Sequence, residues 1–183
     1  TDVLREHGNV IVLEDAIVTS PWFLRFMHGA LAHYRDHDRV FSITGYNHPP
    51  SLMSFPDHHA EDAYFCYRNG SWGWATWASV WERVNWEPDA FQQFLQSRRL
   101  RRAFNRGGGD MATMLRDTLR GRVDSSAIRF SYAHFIHDAV ALWPRYSYVQ
   151  NIGNDGSGIH SRPTQRFWND LSRAKSNVTF PDA

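Results

Sequence analysis

The segment VIVLEDAIVTSPWF, residues 10–23, joins a short apolar run to two acids and then to the start of a helix. The apolar run is typical of a buried parallel strand, and Glu14 and Asp15 end it. Ser20 is a suitable helix N-cap and Pro21 a suitable first helical residue, and apolar residues then recur at helical spacing. The segment therefore predicts a strand followed by a helix.

The next segment, RVFSITGY at residues 39–46, predicts a second strand that ends near Gly45. A strand, a helix and a strand within so few residues predict a βαβ unit. We therefore expect an α/β fold with a mainly parallel central sheet flanked by helices. AYFCYR predicts a third strand, and SWGWATWASVWERV predicts a turn at Gly73 followed by a helix that carries Trp74, Trp77 and Trp81.

The composition is that of a globular protein with one sizeable core, since 42% of its 183 residues are hydrophobic and 21% are charged. The net charge of +1 predicts no nucleic-acid partner. Cys66 is the single cysteine, so no internal disulfide can form. No apolar run reaches the length of a membrane span. We expect a cytoplasmic protein with no transmembrane segment, and association with a membrane surface stays open.

The acids at the end of the first strand have two interpretations. In open α/β sheets ligands bind at the carboxyl ends of the strands, where carboxylates can hold Mg²⁺ or Mn²⁺ against a diphosphate. Two acids just before a helix also stabilise its positive end without any ligand. Glu14 and Asp15 alone favour the second interpretation.

Six segments in order carry a resemblance to a known family: VIVLEDAIVTSPWFLRFM, VFSITGYN, SWGWATWASVW, GGGDMATML, DSSAIRF and PRYSYVQNIGNDGSGIHS. Together they resemble bacterial glycosyltransferases of the GT-A fold that belong to surface-polysaccharide synthesis. They are also similar, more distantly, to the N-acetylglucosaminyltransferase I family. The resemblance covers about residues 8–162 and implies a partial GT-A fold.

The resemblance implies a nucleotide-sugar donor and a glycan or lipid-linked saccharide as acceptor. Glu14 and Asp15 match the first two acids of the family's Glu-Asp-Asp motif, and Ala16 stands where the third acid usually binds the metal. Binding of Mn²⁺ or Mg²⁺ is therefore expected to be weakened or lost. His160 is the other candidate metal ligand, together with Asp15, since an imidazole can bind Mn²⁺.

The same resemblance implies an inverting sugar transfer, and the remaining site residues are candidates for its steps. Asp110 matches the family's catalytic base, which takes the proton of the acceptor hydroxyl, although an Asp there can also be a helix N-cap. Arg129 and Arg145 are candidates for the donor phosphates, because a guanidinium binds phosphate bidentately. Trp72 is the candidate for stacking on the acceptor sugar.

The resemblance also predicts the domain organisation. Residues 1–162 match the C-terminal two-thirds of a GT-A domain, and residues 163–183 form a polar tail. The first nucleotide-binding βα units of that fold have no counterpart here, so the chain is expected to be N-terminally incomplete.

Two other functions stay open on the sequence. Asp57, His58 and His59 could hold the metal of a metal-dependent phosphoesterase, although the other Asp motifs of such an enzyme are not found. Ala16 and the incomplete front half also fit a non-catalytic module, or an inactive variant, that binds a nucleotide or a carbohydrate.

Overall fold

The structure, a computed structural model, describes residues 2–56, 60–86, 91–155 and 163–182. Strands and helices follow one another along the chain. The strands are β1 Asn9–Val12, β2 Ile17–Thr19, β3 Val40–Thr44, β4 Ala63–Cys66, β5 Trp74–Trp77, β6 Val140–Pro144 and β7 Val149–Asn151. The helices are α1 Asp2–His7, α2 Phe23–His33, α3 Ala78–Trp81, α4 Gln92–Gln96, α5 Arg98–Phe104, α6 Met111–Leu119 and α7 Ser126–Ile136.

Five strands form one mixed sheet in the order β1-β5-β3-β6-β4, and β2 pairs with β7 in a separate two-stranded ribbon. Within the described residues, β3–β6 is the single parallel pair of the large sheet, and its other three pairs are antiparallel. The α/β class is confirmed, but the prediction of a mainly parallel sheet is wrong. β1 and β3 do run in the same direction, because β5 lies between them and is antiparallel to both.

The turn that sends β5 back between β1 and β3 depends on Gly73. Its φ is +62°, and a Cβ there would lie 2.9 Å from the Cγ1 of Val149. Its carbonyl oxygen accepts a 2.6 Å hydrogen bond from the backbone N–H of Gly45. Only glycine combines that backbone conformation with so close an approach. The turn predicted at Gly73 is therefore present, but a strand follows it.

The prediction of one helix that carries Trp74, Trp77 and Trp81 is wrong for the first half of that segment. Trp74 and Trp77 begin and end β5, and the helix that follows is the short α3. A spacing of three fits a helix as well as two positions of a short strand, and Trp and Thr favour strands. The segment is a strand because it pairs with strands on both sides, and the local spacing of its residues does not show that pairing.

Helix α2 buries the face that the sequence predicts, with Phe23, Phe26, Met27, Ala30 and Leu31 all in the core. It begins two residues later than expected. Ser20 is not its N-cap but lies buried, and its backbone N–H donates to the carbonyl of Tyr148 at 2.8 Å. The residue that precedes β7 thus holds the chain that enters α2.

A second apolar cluster joins α4, α5, α6 and α7 beside the sheet. It contains Phe94, Phe104, Leu115 and Tyr132, whose side chains are buried against one another. This cluster fixes the start of α6 relative to α7, and residues from both of these helix starts line a cavity of about 480 Å³.

The segment after residue 162, predicted as a polar tail, is in contact with the fold where the structure describes it. Tyr34 Oη donates a 2.6 Å hydrogen bond to the carbonyl of Pro181, and Lys175 pairs with Asp62. Asn169 is buried, and its side-chain amide donates to the carbonyl of Asn47 at 2.8 Å. This contact places residues 167 and 168 beside the cavities described below. No described helix is both long and apolar enough to cross a membrane.

Candidate functional site

The main cavity, of about 480 Å³, lies where strands of the same direction end. Tyr46 lies two residues after the end of β3, and Trp143 is next to the last residue of β6. The segment between β4 and β5 and the starts of α6 and α7 complete the walls. This is the edge of the sheet at which ligands bind in open α/β folds, and the volume is within the usual range for small-molecule sites.

Aromatic side chains form much of the wall. Tyr46 contacts Trp72 edge-on with ring centroids 4.6 Å apart, and Phe167 contacts Trp72 at 6.1 Å. His48 stacks against Trp143 at 5.9 Å. Because Trp143 Nε1 donates a 2.7 Å hydrogen bond to the carbonyl of Arg68, that ring is fixed in place. Rigid aromatic faces beside polar groups are suited to a sugar ring or a nucleobase.

Arg68 and Asp110 form a bidentate ion pair in the cavity wall. Arg68 Nη1 lies 2.8 Å from Asp110 Oδ1, and Arg68 Nη2 lies 3.0 Å from Asp110 Oδ2. The hydrogen bonds from Arg68 lower the pKa of the Asp110 carboxyl, and they outweigh the effect of its partial burial. Asp110 is thus ionised at neutral pH and still 54% exposed at its side chain.

Asp110 stands at the N-cap position of α6, but its side chain does not cap the helix. Asn105 does so in its place, since its Oδ1 accepts a 2.8 Å hydrogen bond from the N–H of Ala112. The Asp110 carboxylate is therefore available to the cavity. Gly108 makes room for the ion pair, because a Cβ there would lie 2.8 Å from Arg68 Nη1 and 2.9 Å from Asp110 Oδ1.

His48 lies between the main cavity and a second one. Its Nδ1 is buried and has no hydrogen-bond partner among the described residues. Burial lowers the pKa of the imidazole, and the charges of Arg68 and Arg166 lower it further. His48 is consequently neutral at pH 7, and its Nδ1 is a buried polar atom with no partner among the described residues.

Glu14 lies next to the main cavity, at the end of β1. It lines a small cleft with Trp74, Trp81 and Trp86, and this cleft shares Asn69, Ser71 and Ala127 with the main cavity. Glu14 is exposed as a whole, yet burial around its carboxyl raises its pKa. A hydrogen bond from Ser71 lowers the pKa but does not outweigh the burial. Asp15 is exposed further along the turn.

Ala16 adopts a left-handed backbone conformation, with φ of +58°. Its carbonyl accepts a 2.8 Å hydrogen bond from the N–H of Ile152, which ties the turn to the end of β7. Asp and Asn tolerate this conformation better than Ala does.

A divalent cation is poorly supported by the described residues at this turn. Glu14 is engaged by Ser71, the side chain of Ala16 offers no ligand atom, and the described ranges contain no group of three His, Cys, Asp or Glu that could hold a metal ion. His160 lies outside the described residues, as do Asp57, His58 and His59 of the phosphoesterase alternative.

The two predicted phosphate-binding arginines lie apart. Arg145 lines the second cavity, of about 380 Å³, which shares His48 with the main one. Arg129 is half-buried on α7 and is not among the residues that line either cavity, although its neighbours Ile128 and Ser131 line the main one. The structure thus brings Asp110 and Trp72 into one cavity, with Glu14 next to it and Arg145 beyond His48.

Arg68 and His48 are the site residues that the sequence analysis missed. Both follow predicted strands, His48 after RVFSITGY and Arg68 at the end of AYFCYR. The rule that ligands bind at the carboxyl ends of strands could have selected His48. The pairing of Arg68 with Asp110 joins residues far apart in the chain and has no local signal.

Comparison with models of known protein families and with curated protein sequences finds no match to this chain.

Proposed function

We propose that this protein is a glycosyltransferase that moves a sugar from a nucleotide-diphosphate donor to an acceptor hydroxyl with inversion. The observation that carries the proposal is the position of Asp110. Its ionised carboxylate faces a cavity of about 480 Å³ with aromatic walls, at the carboxyl ends of β3 and β6. A carboxylate that can accept a proton, next to faces that can hold a sugar, is what such a transfer needs.

The chemistry follows from the geometry of the ion pair. Arg68 occupies one lone pair on each oxygen of Asp110, so each oxygen keeps another for an acceptor hydroxyl. The hydroxyl oxygen attacks the anomeric carbon, the bond from that carbon to the diphosphate oxygen breaks, and the hydroxyl proton passes to Asp110. Arg68 positions the carboxylate and keeps it ionised until the proton is transferred.

The departing diphosphate takes up negative charge, which the cavity wall can stabilise. The N-terminal residues of α7 line the cavity, with Ser125 as the N-cap of an 11-residue helix. The positive end of a helix favours an anion there. Glu14, in the adjacent cleft, is placed to accept hydrogen bonds from the hydroxyls of the donor, with Asp15 beside it.

Trp72 is the surface on which we place the acceptor sugar. It is half-buried between Tyr46 and Phe167, so its ring is held while one part still faces the cavity. We infer a glycan or lipid-linked saccharide acceptor and action in the cytoplasm, at a membrane surface when the acceptor is lipid-linked.

A non-catalytic carbohydrate-binding module is the second candidate, and the same ion pair favours it. A carboxylate held by both guanidinium nitrogens is a weaker base than a free one and is also a rigid anchor for sugar hydroxyls. The two functions differ in turnover alone, since both predict saturable binding of sugars in the main cavity.

The test is a screen of nucleotide sugars with saccharide acceptors, in which release of the nucleoside diphosphate is followed together with the mass of the acceptor. The transferase proposal predicts stoichiometric diphosphate release and an acceptor heavier by one sugar residue. Saturable binding of donor and acceptor with neither change would leave the binding module as the function.

A further inference from the structure

Helices α5 and α6 carry a group of exposed arginines that the candidate site does not use. Residues 91–123 contain eight arginines and two aspartates and no other charged residue, whereas the net charge of the whole chain is +1. Positive charge is therefore concentrated in this segment, and the rest of the chain has more acids than cations. The exposed members are Arg98, Arg99 and Arg102 on α5 and Arg120 at the end of α6, together called the arginine surface. We propose that the arginine surface binds a membrane that contains anionic lipids.

The charges of the arginine surface are not compensated by the described part of the chain. None of its four side chains makes a hydrogen bond, an ion pair or a ring contact with another described residue. Other arginines of the segment are engaged, since Arg101 donates to the carbonyls of Phe94 and Leu95, and Arg106 donates to the hydroxyl of Tyr67. Both aspartates of the segment are already in ion pairs. The guanidinium groups of the arginine surface are therefore available to an external anion.

The geometry of α5 places its exposed arginines on one side. Leu100 and Phe104 pack into the second apolar cluster. Arg98 and Arg102 lie one turn apart on the opposite side of the helix, with Arg99 next to them. The seven residues of α5 span about 10 Å, which is close to one Debye length at 0.1 M salt. The three charges therefore act together on the same small area of a charged surface.

The stability of α5 does not account for Arg98 and Arg99. They are the first two residues of the helix, at the positive end of its dipole, where a cation is unfavourable. The first turn contains no acid that would offset them. Ser97 caps the helix, since its Oγ accepts a 3.2 Å hydrogen bond from the N–H of Leu100, and this cap needs no arginine. Charges that neither the helix favours nor the fold pairs are suited to a partner outside the chain.

An extended anionic surface is the partner that fits this arrangement. None of the four arginines lines the main or the second cavity, so they do not form part of those pockets for a small soluble phosphate. The exposed residues of α5 include no aromatic side chain on which the bases of a single-stranded nucleic acid could stack. Basic clusters on an amphipathic helix are typical of binding to anionic lipid headgroups, and a guanidinium binds phosphate bidentately. The proposal does not rest on the transferase function; where both hold, the membrane supplies a lipid-linked acceptor.

Sedimentation with lipid vesicles tests the proposal without any donor or turnover. The whole chain is mixed with vesicles of phosphatidylcholine, with or without phosphatidylglycerol, at low and at high salt, and separately with a single-stranded oligonucleotide. Arg98→Gln/Arg102→Gln removes two charges from the arginine surface, and Arg98→Lys/Arg102→Lys keeps both. Glutamine and lysine have nearly the helix propensity of arginine, so α5 is retained. Arg5→Gln/Arg35→Gln is the matched control, because it removes two charges from exposed arginines outside the segment.

We expect saturable binding to the vesicles that contain phosphatidylglycerol, weakened by salt and about 25-fold weaker in Arg98→Gln/Arg102→Gln. The lysine variant should keep most of the binding, and the control should bind like the wild type. Equal binding to both kinds of vesicle would overturn the proposal, and so would an equal loss in the control. Binding of the oligonucleotide without binding of vesicles would also overturn it. Vesicle binding by a chain that never transfers a sugar would retain this surface and remove the transferase function, and sugar transfer by a chain that binds no vesicle would do the reverse.

Discussion

At the N-terminus of α6, Arg68 binds the Asp110 carboxylate with both of its terminal guanidinium nitrogens, at 2.8 Å and 3.0 Å. The Arg68 side chain is 28% exposed and that of Asp110 is 54% exposed, so the pair is at the surface of a cavity and not in the core. An ion pair this exposed adds little to the stability of the fold, about 1 kcal/mol or less. Its main effect is to fix the direction and the charge of one carboxylate.

Gly108 is predicted to be the residue on which this ion pair depends. Its φ is +152°, and a Cβ at this position would lie too close to Arg68 and Asp110 for a methyl group to fit. Gly108→Ala should therefore separate the pair and raise the pKa of Asp110, as measured by carbon NMR of its carboxyl group. Gly109→Ala is the matched control, since a Cβ at Gly109 meets nothing within 4 Å. Equal carboxyl pKa values in the two variants would contradict this account of Gly108.

The pH dependence of sugar transfer should show the effect of Arg68 on the pKa of Asp110. Hydrogen bonds from Arg68 hold the pKa of Asp110 below its ordinary value of 3.8, so the ionised base is lost only when the pH falls below that value. In Arg68→Gln the acid limb of kcat/KM should move to higher pH, because the largest cause that lowers the pKa of Asp110 is lost while partial burial still raises it. The measurement is a pH–rate profile of each protein over the range in which it stays folded. An acid limb at the same pH in both would show that Asp110 is not the group that titrates.

Ala16 should control the response to manganese. An Asp at this position would add a carboxylate to the turn that carries Asp15, and it would tolerate the left-handed backbone at φ of +58°. We expect manganese to add little to the thermal stabilisation of the wild type by uridine diphosphate, and to add clearly more in Ala16→Asp. Ala16→Asn is the control for the backbone effect without the charge. A large manganese-dependent shift in the wild type would contradict this interpretation of Ala16.

His134 should make the fold sensitive to acid. It is completely buried, its Nδ1 donates to the carbonyl of Phe130, and its Nε2 accepts from the hydroxyl of Ser42, each at 2.8 Å. Burial lowers the pKa of His134 from 6.5 to about 4. The unfolded chain therefore binds a proton that the folded chain does not, and stability falls as the pH drops from 6.5 towards 4, by up to about 3 kcal/mol from this residue.

The free energy of unfolding in urea, measured across that pH range, checks this prediction. His134→Gln should be less stable at pH 7, because it disturbs two buried hydrogen bonds, but its stability should depend less on pH. His28→Gln changes an exposed imidazole and should keep the pH dependence of the wild type. If the unfolding free energy of His134→Gln changes with pH as steeply as that of the wild type, the acid sensitivity belongs to other groups.

The parts of the fold that the sequence predicts are those set by local pattern. The strands at β1 and β3 and the buried face of α2 follow from apolar spacing. The position of β5 could not be read in this way. Whether Trp74–Trp77 is a strand depends on the two strands that pair with it, which are distant in the chain.

In the candidate site, too, some residues are marked by a local sequence pattern and others are brought in only by the fold. The resemblance of GGGDMATML to the family's motif is what assigns Asp110 as the base, and Trp72 lies just before the turn predicted at Gly73. The partner of Asp110 is not recognisable, because Arg68 reaches it only through the packing of α6 against the segment after β4. Arg145 and Arg129 were assigned to one role by residue type, and the fold places one in the second cavity and the other outside both linings.

Transfer of a labelled sugar by wild type and Asp110→Asn, measured by mass spectrometry of the acceptor, tests the central claim most directly. Asp138→Asn is the matched control, since Asp138 is also an exposed Asp paired with an arginine, Arg39, at 3.1 Å. The account predicts that Asp110→Asn transfers at least about 100-fold more slowly, while it still binds donor and acceptor, and that Asp138→Asn is unaffected. Transfer by Asp110→Asn at the rate of the wild type would contradict the assignment of Asp110 as the base.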